Sequence, residues 1–343
     1  MIERFFHRWE QRLADISKND RVRRPFEWGL EWIGSNGGPP GGARQVSPSD
    51  AVRSWVDHVM KDTDAFFTPA ATSDYTLTGN ELTFPSALET PHAENNVVHA
   101  RFFPTRKRPG HPRRAVVVLP QWNSDAGGHI GLSQLLARVG VSSLRLSLPY
   151  HDRRMPPELT RADYIVSSNI ARTVQVCRQA VLDARRAVWW LRDQGYERIG
   201  LLGTSLGSCL AMLTASHEPL VRAQALNHVS PFFADVVWRG VSTSHVRAGL
   251  DGHITLETLR ELWRPISPWS YLDRHHERKT LLVYAKYDLT FPVDLSRTLI
   301  DEFRRRNIPT EVATLPCGHY TTGQTPFKFL DGYYLARFLV KNL

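Results

Sequence analysis

The chain has 343 residues, 42% of them hydrophobic, enough to bury a sizeable core as one large domain with additions or as two domains. Its three cysteines, Cys177, Cys209 and Cys317, are too few and too scattered for a disulfide framework and form neither a CxxC pair nor a zinc knuckle, which fits a reducing compartment and equally a secreted protein without disulfides. A net charge of +9 could attract nucleic acid, anionic lipid or an acidic substrate, but the main basic cluster (Arg101, Arg106, Lys107, Arg108, Arg113, Arg114) is broken by prolines, lacks interleaved aromatics and reads as a solvated loop, so no nucleic-acid partner is expected.

The amino terminus, MIERFFHRWEQR, is charged and has no continuous apolar core of the kind a secretory signal needs. No stretch reaches the ~20 apolar residues required to span a bilayer, and the expected setting is soluble and cytoplasmic. Residues 3–13 and 26–33 carry aromatic and aliphatic side chains at helical spacing, and GSNGGPPGG at 34–42 then breaks the pattern as a flexible loop. A short helix is expected at 48–60 and a strand, turn and strand at 75–84. Together, residues 1–94 read as an extension packing on the core, with nothing in them that suggests chemistry.

From residue 95 buried strands alternate with helices. Strands are expected at 97–103, 115–119, 141–146, 198–202, 223–229, 279–284 and 310–315, and helices at 130–138, 165–195, 293–304 and 331–340, with a further apolar helix directly after GTSLGS. This order predicts an α/β fold with a mostly parallel central sheet and helices on both faces, spanning 95–343. Ligands of such sheets meet the carboxyl ends of the strands. One segment breaks the rhythm: residues 231–278 hold Phe232, Phe233, Trp238 and a helix at 256–263 but no clear core strand. It reads as an inserted cap whose aromatics either wall an apolar pocket or pack ordinarily on the domain.

Gly203-Thr204-Ser205-Leu206-Gly207 matches GxSxG in the context that gives the motif meaning, after the hydrophobic strand RIGLL and before a helix. Glycines there relieve a crowded turn, which holds the Ser205 hydroxyl above the sheet edge at the positive end of a helix. An acid and a histidine are required later, in that order. Asp288 follows the strand TLLVYA in the loop AKYDLTFP, and His319 follows EVATL in the loop PCGHYTTG. His319 would act as general base toward Ser205 and then as general acid, with Asp288 fixing its tautomer and stabilising the imidazolium. Asp294 rivals Asp288 but falls at the start of the next helix, where an acid favours the helix dipole. None of the other histidines weighed against His319 (His151, His228, His245, His253, His275, His276) sits in the loop after the last strand.

These features, over residues 100–343, resemble the α/β-hydrolase superfamily, and SLPYHDRRMP after a strand is similar to its dienelactone-hydrolase-like and peptidase-like esterase branches. The resemblance implies an oxyanion hole made by the backbone N–H of Leu206 and a second N–H from the loop LPQWNSD, from Gln121 or Trp122. The HGGG form of that loop is absent, and serine stands where a dienelactone hydrolase has cysteine. The implied activity is serine-dependent hydrolysis of a carboxylic ester through an acyl-enzyme. Amide or peptide hydrolysis, or a non-catalytic binding protein that keeps the fold, are the alternatives.

Further residues at the same sheet edge could touch a small-molecule ester or related acyl substrate. His228 ends a strand and either lines the pocket or is a satisfied core histidine. Arg153 and Arg154 either grip a substrate carboxylate or form structural salt bridges; His151, Phe232 and Trp238 complete the candidates. Cys209 reads as core. No ligand cluster has zinc or calcium spacing, and no glycine-rich segment matches a phosphate or dinucleotide loop, so neither metal nor cofactor is expected. Self-association as a homo-oligomer is left open.

Overall fold

The computed structural model describes residues 2–16, 20–34, 47–106 and 110–343. The glycine-rich loop expected at 34–42 lies outside the described residues beyond Gly34, as do Lys107, Arg108 and Pro109 of the basic cluster. Nine strands form one sheet: β1 (Thr76–Thr78), β2 (Glu81–Pro85), β3 (Val97–Phe103), β4 (Arg114–Leu119), β5 (Ser142–Leu146), β6 (Arg198–Thr204), β7 (Val221–Asn227), β8 (Lys279–Ala285) and β9 (Thr310–Leu315). Their order is β1-β2-β3-β5-β4-β6-β7-β8-β9. Every neighbouring pair from β5 to β9 is parallel, and β1, β2 and β3 continue the sheet antiparallel beyond β5.

The helices are α1 (Ile2–Ile16), α2 (Glu31–Gly34), α3 (Pro48–Lys61), α4 (Thr63–Phe66), α5 (Ile130–Arg138), α6 (Ile170–Asp193), α7 (Leu206–His217), α8 (Phe233–Arg239), α9 (Ser244–Leu250), α10 (Leu256–Leu262), α11 (Val293–Arg305) and α12 (Phe327–Asn342). The apolar run of β4 shows why strand and helix order sets the architecture. Val116 and Val118 point into one core with Leu136 of α5 and Leu335 and Leu339 of α12, while Val117 and Leu119 point into the other with Val174 of α6, Leu210 of α7 and Leu299 of α11. A strand covered on both faces has no use for alternating polarity, so it reads as a continuous hydrophobic stretch.

Two helical expectations give way to backbone bonds between distant segments. Residues 26–33 are helical only from Glu31, because Glu27 forms a parallel bridge with Asn169: its N–H donates to Ser168 O (3.1 Å) and its carbonyl accepts from Ile170 N–H (3.0 Å). The same bridge holds the chain extended ahead of α6, whose first turn is then capped by Asn169 Oδ1 accepting from Arg172 N–H at 3.0 Å, five residues later than the apolar spacing suggested. Residues 231–278 contribute α8, α9 and α10 and no strand. They join α3 through Arg264–Asp57 (2.8 Å) and an Arg53–Glu261 pair, and α4 through Arg274–Asp64 (2.5 Å). No helix among the described residues is long and apolar enough to cross a membrane. The loops that follow β4, β6, β7, β8 and β9 open at one edge of the parallel part, and there Gln121, Ser205, His228, Asp288 and His319 gather.

Candidate active site

β6 ends at Thr204 and α7 begins at Leu206, so Ser205 alone makes the turn, with φ 56° and ψ −119°. Side chains other than glycine rarely adopt such a backbone, and it persists here because its surroundings leave no other path. A Cβ on Gly203 would lie 2.2 Å from the Gly207 carbonyl oxygen, and one on Gly207 would lie 2.0 Å from the Leu119 carbonyl oxygen, so both positions require glycine for the strand and helix to approach. The turn is pinned by Ser205 N–H donating to Asn227 O at 2.8 Å.

Ser205 Oγ lies 3.1 Å from His319 Nε2, and His319 Nδ1 lies 3.0 Å from Asp288 Oδ2. Asp288 is buried, and its Oδ1 accepts from the N–H groups of Thr290 (2.8 Å) and Phe291 (2.7 Å). A second histidine, His228, also reaches Oδ2, through Nδ1 at 2.9 Å, with its ring 4.1 Å from that of His319. A carboxylate only accepts, so both Nδ1 atoms carry hydrogens, and the His319 Nε2 lone pair is left to accept the Ser205 hydroxyl. Burial opposes the charge on Asp288, yet His319 beside it and the two histidine donors hold its carboxyl well below the usual carboxylate range. Burial, reinforced by His319, lowers the proton affinity of His228. His319 is also resisted by burial, but the Asp288 charge and hydrogen bond, with a further contribution from Glu10, raise it. One carboxylate therefore orients two imidazoles and favours protonation of only the one that faces serine.

The hydroxyl opens into a cavity of about 910 Å³ whose apolar wall includes Leu132, Val166, Phe232, Phe233, Val237 and Phe291. Polar groups of the lining pair with one another, His129 Nε2 with Thr204 Oγ1 at 2.9 Å and Asn227 Nδ2 donating to Asp331 Oδ2 at 2.9 Å, while His129 Nδ1, Asn227 Oδ1 and Asp331 Oδ1 have no protein partner among the described residues. Among the described residues, the backbone N–H groups of Leu206, Gln121 and Trp122 donate to no protein acceptor. Their loop is held open from behind. His151 Nδ1–H donates to Pro149 O (2.8 Å), so its Nε2 accepts from Asn123 N–H (2.9 Å), while Trp122 Nε1–H donates to Ala162 O (2.8 Å). Burial lowers the His151 pKa to about 4, which keeps Nε2 free to accept.

The substrate-contact candidates divide. His228 and Phe232 line the cavity, whereas His151, Arg153, Arg154 and Trp238 do not. His151 is engaged behind the loop, and the Trp238 ring lies under the Arg247 guanidinium, 5.2 Å from its centroid. Arg153 borders a separate small cleft with His99 and Asp152. Arg154 is fully buried and bonded to Asn95 O (2.8 Å), Ser147 O (3.1 Å) and Asp183 Oδ2 (2.9 Å), which makes it a structural ion pair. Asp294 is engaged on the surface by both terminal nitrogens of Arg239, at 2.7 and 2.8 Å. Cys209 is buried in the core. Cys317 lies near the site with its Sγ 3.3 Å from Thr322 Oγ1, and burial pushes its thiol up to about 12. His228, Asp288 and His319 are the one group of metal-ligating type among the described residues, with the Nδ1 of each histidine hydrogen-bonded to Asp288 Oδ2.

The sequence reading did not find the His129–Thr204 pair, Asp331, or Glu10 of α1, whose carboxylate accepts from the loop after His319. None belongs to a recognisable spacing, and Glu10 lies 310 residues from the backbone it binds.

A family model described as alpha/beta hydrolase domain containing 18 matches residues 73–259, more than half of the chain. The chain belongs to that family. The match to the alpha/beta hydrolase domain containing 18 family includes the turn at Ser205 and ends before Asp288 and His319. No curated protein matches the sequence. Among solved structures, an acylaminoacyl peptidase from Pyrococcus horikoshii is similar with a TM-score of 0.61 at 14% identity, over 79% of this chain and 42% of that one. An acetyl xylan esterase from Paenibacillus sp. R4 (TM-score 0.58, 16% identity, 89% of this chain and 98% of that one) and acetyl xylan esterase 1 from Thermoanaerobacterium sp. JW/SL YS485 (0.56, 13%, 96% and 98%) are similar over nearly their full lengths. The chain spans about two fifths of the length of the acylaminoacyl peptidases it matches. At these identities the likeness is one of fold, the α/β-hydrolase fold.

Proposed function

We propose that this member of the alpha/beta hydrolase domain containing 18 family is a serine hydrolase acting on a carboxylic ester. The observation that carries the reading is the continuous hydrogen-bonded chain from Ser205 Oγ through His319 to Asp288, facing a large cavity. In this reading Ser205 Oγ attacks the ester carbonyl carbon while its proton passes to His319 Nε2. The oxyanion is met by Leu206 N–H and a second N–H from Gln121 or Trp122. The tetrahedral intermediate collapses, the alkoxide leaves with the proton from His319, and the acyl group stays on Ser205. Water then gives its proton to His319, attacks the acyl-enzyme and releases the acid, returning the proton to Ser205. Asp288 stabilises the imidazolium, and His228 keeps Asp288 oriented. Residues 231–278 act as a cap that lends Phe232, Phe233 and Val237 to the cavity, on a core of residues 95–343 extended by 1–94. Apolar walls favour an uncharged acyl or alcohol group in the cavity.

The test pairs an ester and an amide of the same acyl group and follows kcat/KM for native protein, Ser205→Ala and His319→Ala. Turnover of the ester exceeding that of the amide, and falling at least about a thousandfold in either variant, is the expected result. Ester turnover that survives Ser205→Ala overturns the reading, and faster amide turnover moves the substrate class to peptides.

A further inference from the structure

We propose that Glu10, in the amino-terminal helix α1, is a positioning residue for His319, so that the first helix of the chain is part of the active-site construction. The inference rests on the reading of His319 as the base. Glu10 is completely buried. Its Oε2 accepts from Tyr320 N–H (2.9 Å), and its Oε1 accepts from Thr321 N–H (2.8 Å) and from Thr321 Oγ1–H (2.7 Å). Thr321 Oγ1 in turn accepts from Gly318 N–H at 2.7 Å. One carboxylate thereby fixes the backbone on the carboxyl side of His319 directly and on its amino side through a single hydroxyl. The loop lies flat on this side chain: a Cβ on Gly318 would fall 2.3 Å from Glu10 Cδ.

Two charge-assisted bonds to backbone and one to the Thr321 hydroxyl thus reach this turn from an element distant in sequence. The loop already has its own turn bonds, Thr322 N–H to Gly318 O at 3.1 Å and Gln324 N–H to Thr321 O at 2.9 Å. α1 also reaches the loop of the acid, where Phe6 stacks on Tyr287 with ring centroids 4.7 Å apart, beside Asp288. The helix thus spans the two loops that must keep His319 Nδ1 within 3.0 Å of Asp288.

Glu10 also acts on the proton of His319 through charge. The groups facing His319 are Asp288 after β8, His228 after β7, Ser205 before α7 and Glu10 from α1. Arg21 reaches its loop through the Tyr320 hydroxyl (3.0 Å), and Lys328 and Asp331 of α12 line the same cavity. Among the negative groups, Asp288 and Glu10 both raise the proton affinity of His319. Replacing Glu10 by Gln removes the charge and keeps an amide that accepts on one side. Replacing it by Ala removes both.

The experiment uses the full chain as native protein, Glu10→Gln and Glu10→Ala, each selectively labelled at histidine, with the His319 imidazole titration followed by NMR and assigned by its loss in His319→Ala. Glu10→Gln is expected to move the His319 midpoint to lower pH. In parallel, kcat and KM are measured on an ester across pH. Glu10→Ala is expected to lower kcat about ten- to a hundredfold with KM changed less than about twofold, as loss of base alignment should. The acidic limb of kcat/KM should move to lower pH in both variants, and Glu10→Gln should recover part of kcat. A merely structural Glu10 would lower the folded fraction and leave the midpoint and limb in place, which overturns the proposal, as does an unchanged midpoint in Glu10→Gln. The NMR titration does not require turnover, so a native protein that hydrolyses nothing defeats the esterase reading while the Glu10 result still decides this one.

Discussion

Asp331 carries its carboxyl into a place that disfavours charge. Burial raises its pKa to about 7, opposed by the one hydrogen bond from Asn227 Nδ2, and Oδ1 has no partner. The folded state therefore holds a proton that the unfolded chain releases near pH 4, and this group's contribution to stability is present below pH 4 and is lost as pH rises through 7. Asp331→Asn removes that loss. Its Tm advantage over native protein is expected to grow by about 2–5 °C between pH 5 and pH 8 in scanning calorimetry, and a pH-independent difference would contradict the assignment. Legibility at this scale follows locality. The grouping of Ser205, Asp288 and His319 could be expected because the strand, turn residue and flanking glycines around Ser205 are neighbours in sequence and Asp288 and His319 each follow closely on a strand. His228, by contrast, was caught between pocket wall and core. It serves Asp288, and only the fold brings the ends of β7, β8 and β9 together. His151 was named for the right loop and the wrong contact, because periodicity does not tell which side of a loop a side chain supports.

Arg154 joins three elements: it donates to Asn95 O ahead of β3, to Ser147 O after β5 and to Asp183 of α6, whose other oxygen accepts from Ser86 Oγ–H (2.9 Å) and Ala87 N–H (3.1 Å) after β2. Removing the guanidinium leaves the Asp183 charge buried without its ion pair, Ser147 O without a donor and Asn95 O with only the Gln179 amide at 3.4 Å. Arg154→Ala is expected to cost about 3–5 kcal/mol in urea unfolding while KM for neutral and acidic esters stays at the native value. Native stability with KM raised for acidic esters alone would return Arg154 to the substrate. Elements in the parallel sheet were legible to within a residue or two, since strands such as β4 are buried on both faces and bounded by turn residues. Residues 26–33 were not, because the backbone bonds of Glu27 to Ser168 and Ile170 outweigh helical spacing, and those partners lie far along the chain.

At the scale of the whole molecule, the sheet is the instrument that converts distant motifs into one site. Five strand ends deliver Ser205, Asp288, two histidines and the open N–H groups to a single edge, and α1 closes on that edge from the opposite end of the sequence. The order of strands and helices made this architecture legible, whereas the attachment of α1 to the His319 loop carried no sequence signal because a single buried Glu10 decides it. The net charge of +9 proved uninformative about the site: Arg101 of the basic cluster pairs with Glu81 (3.6 Å), Arg113 covers Tyr196 and Arg114 donates to Val340 O (3.0 Å). The central claim is that this architecture activates Ser205. Labelling with a fluorophosphonate probe, with the adduct located by peptide mass in native protein and in Ser205→Ala, tests it most directly. A single adduct on Ser205, absent from the folded variant, is the result expected; a folded native protein that takes no label, or takes it at another residue, would contradict it.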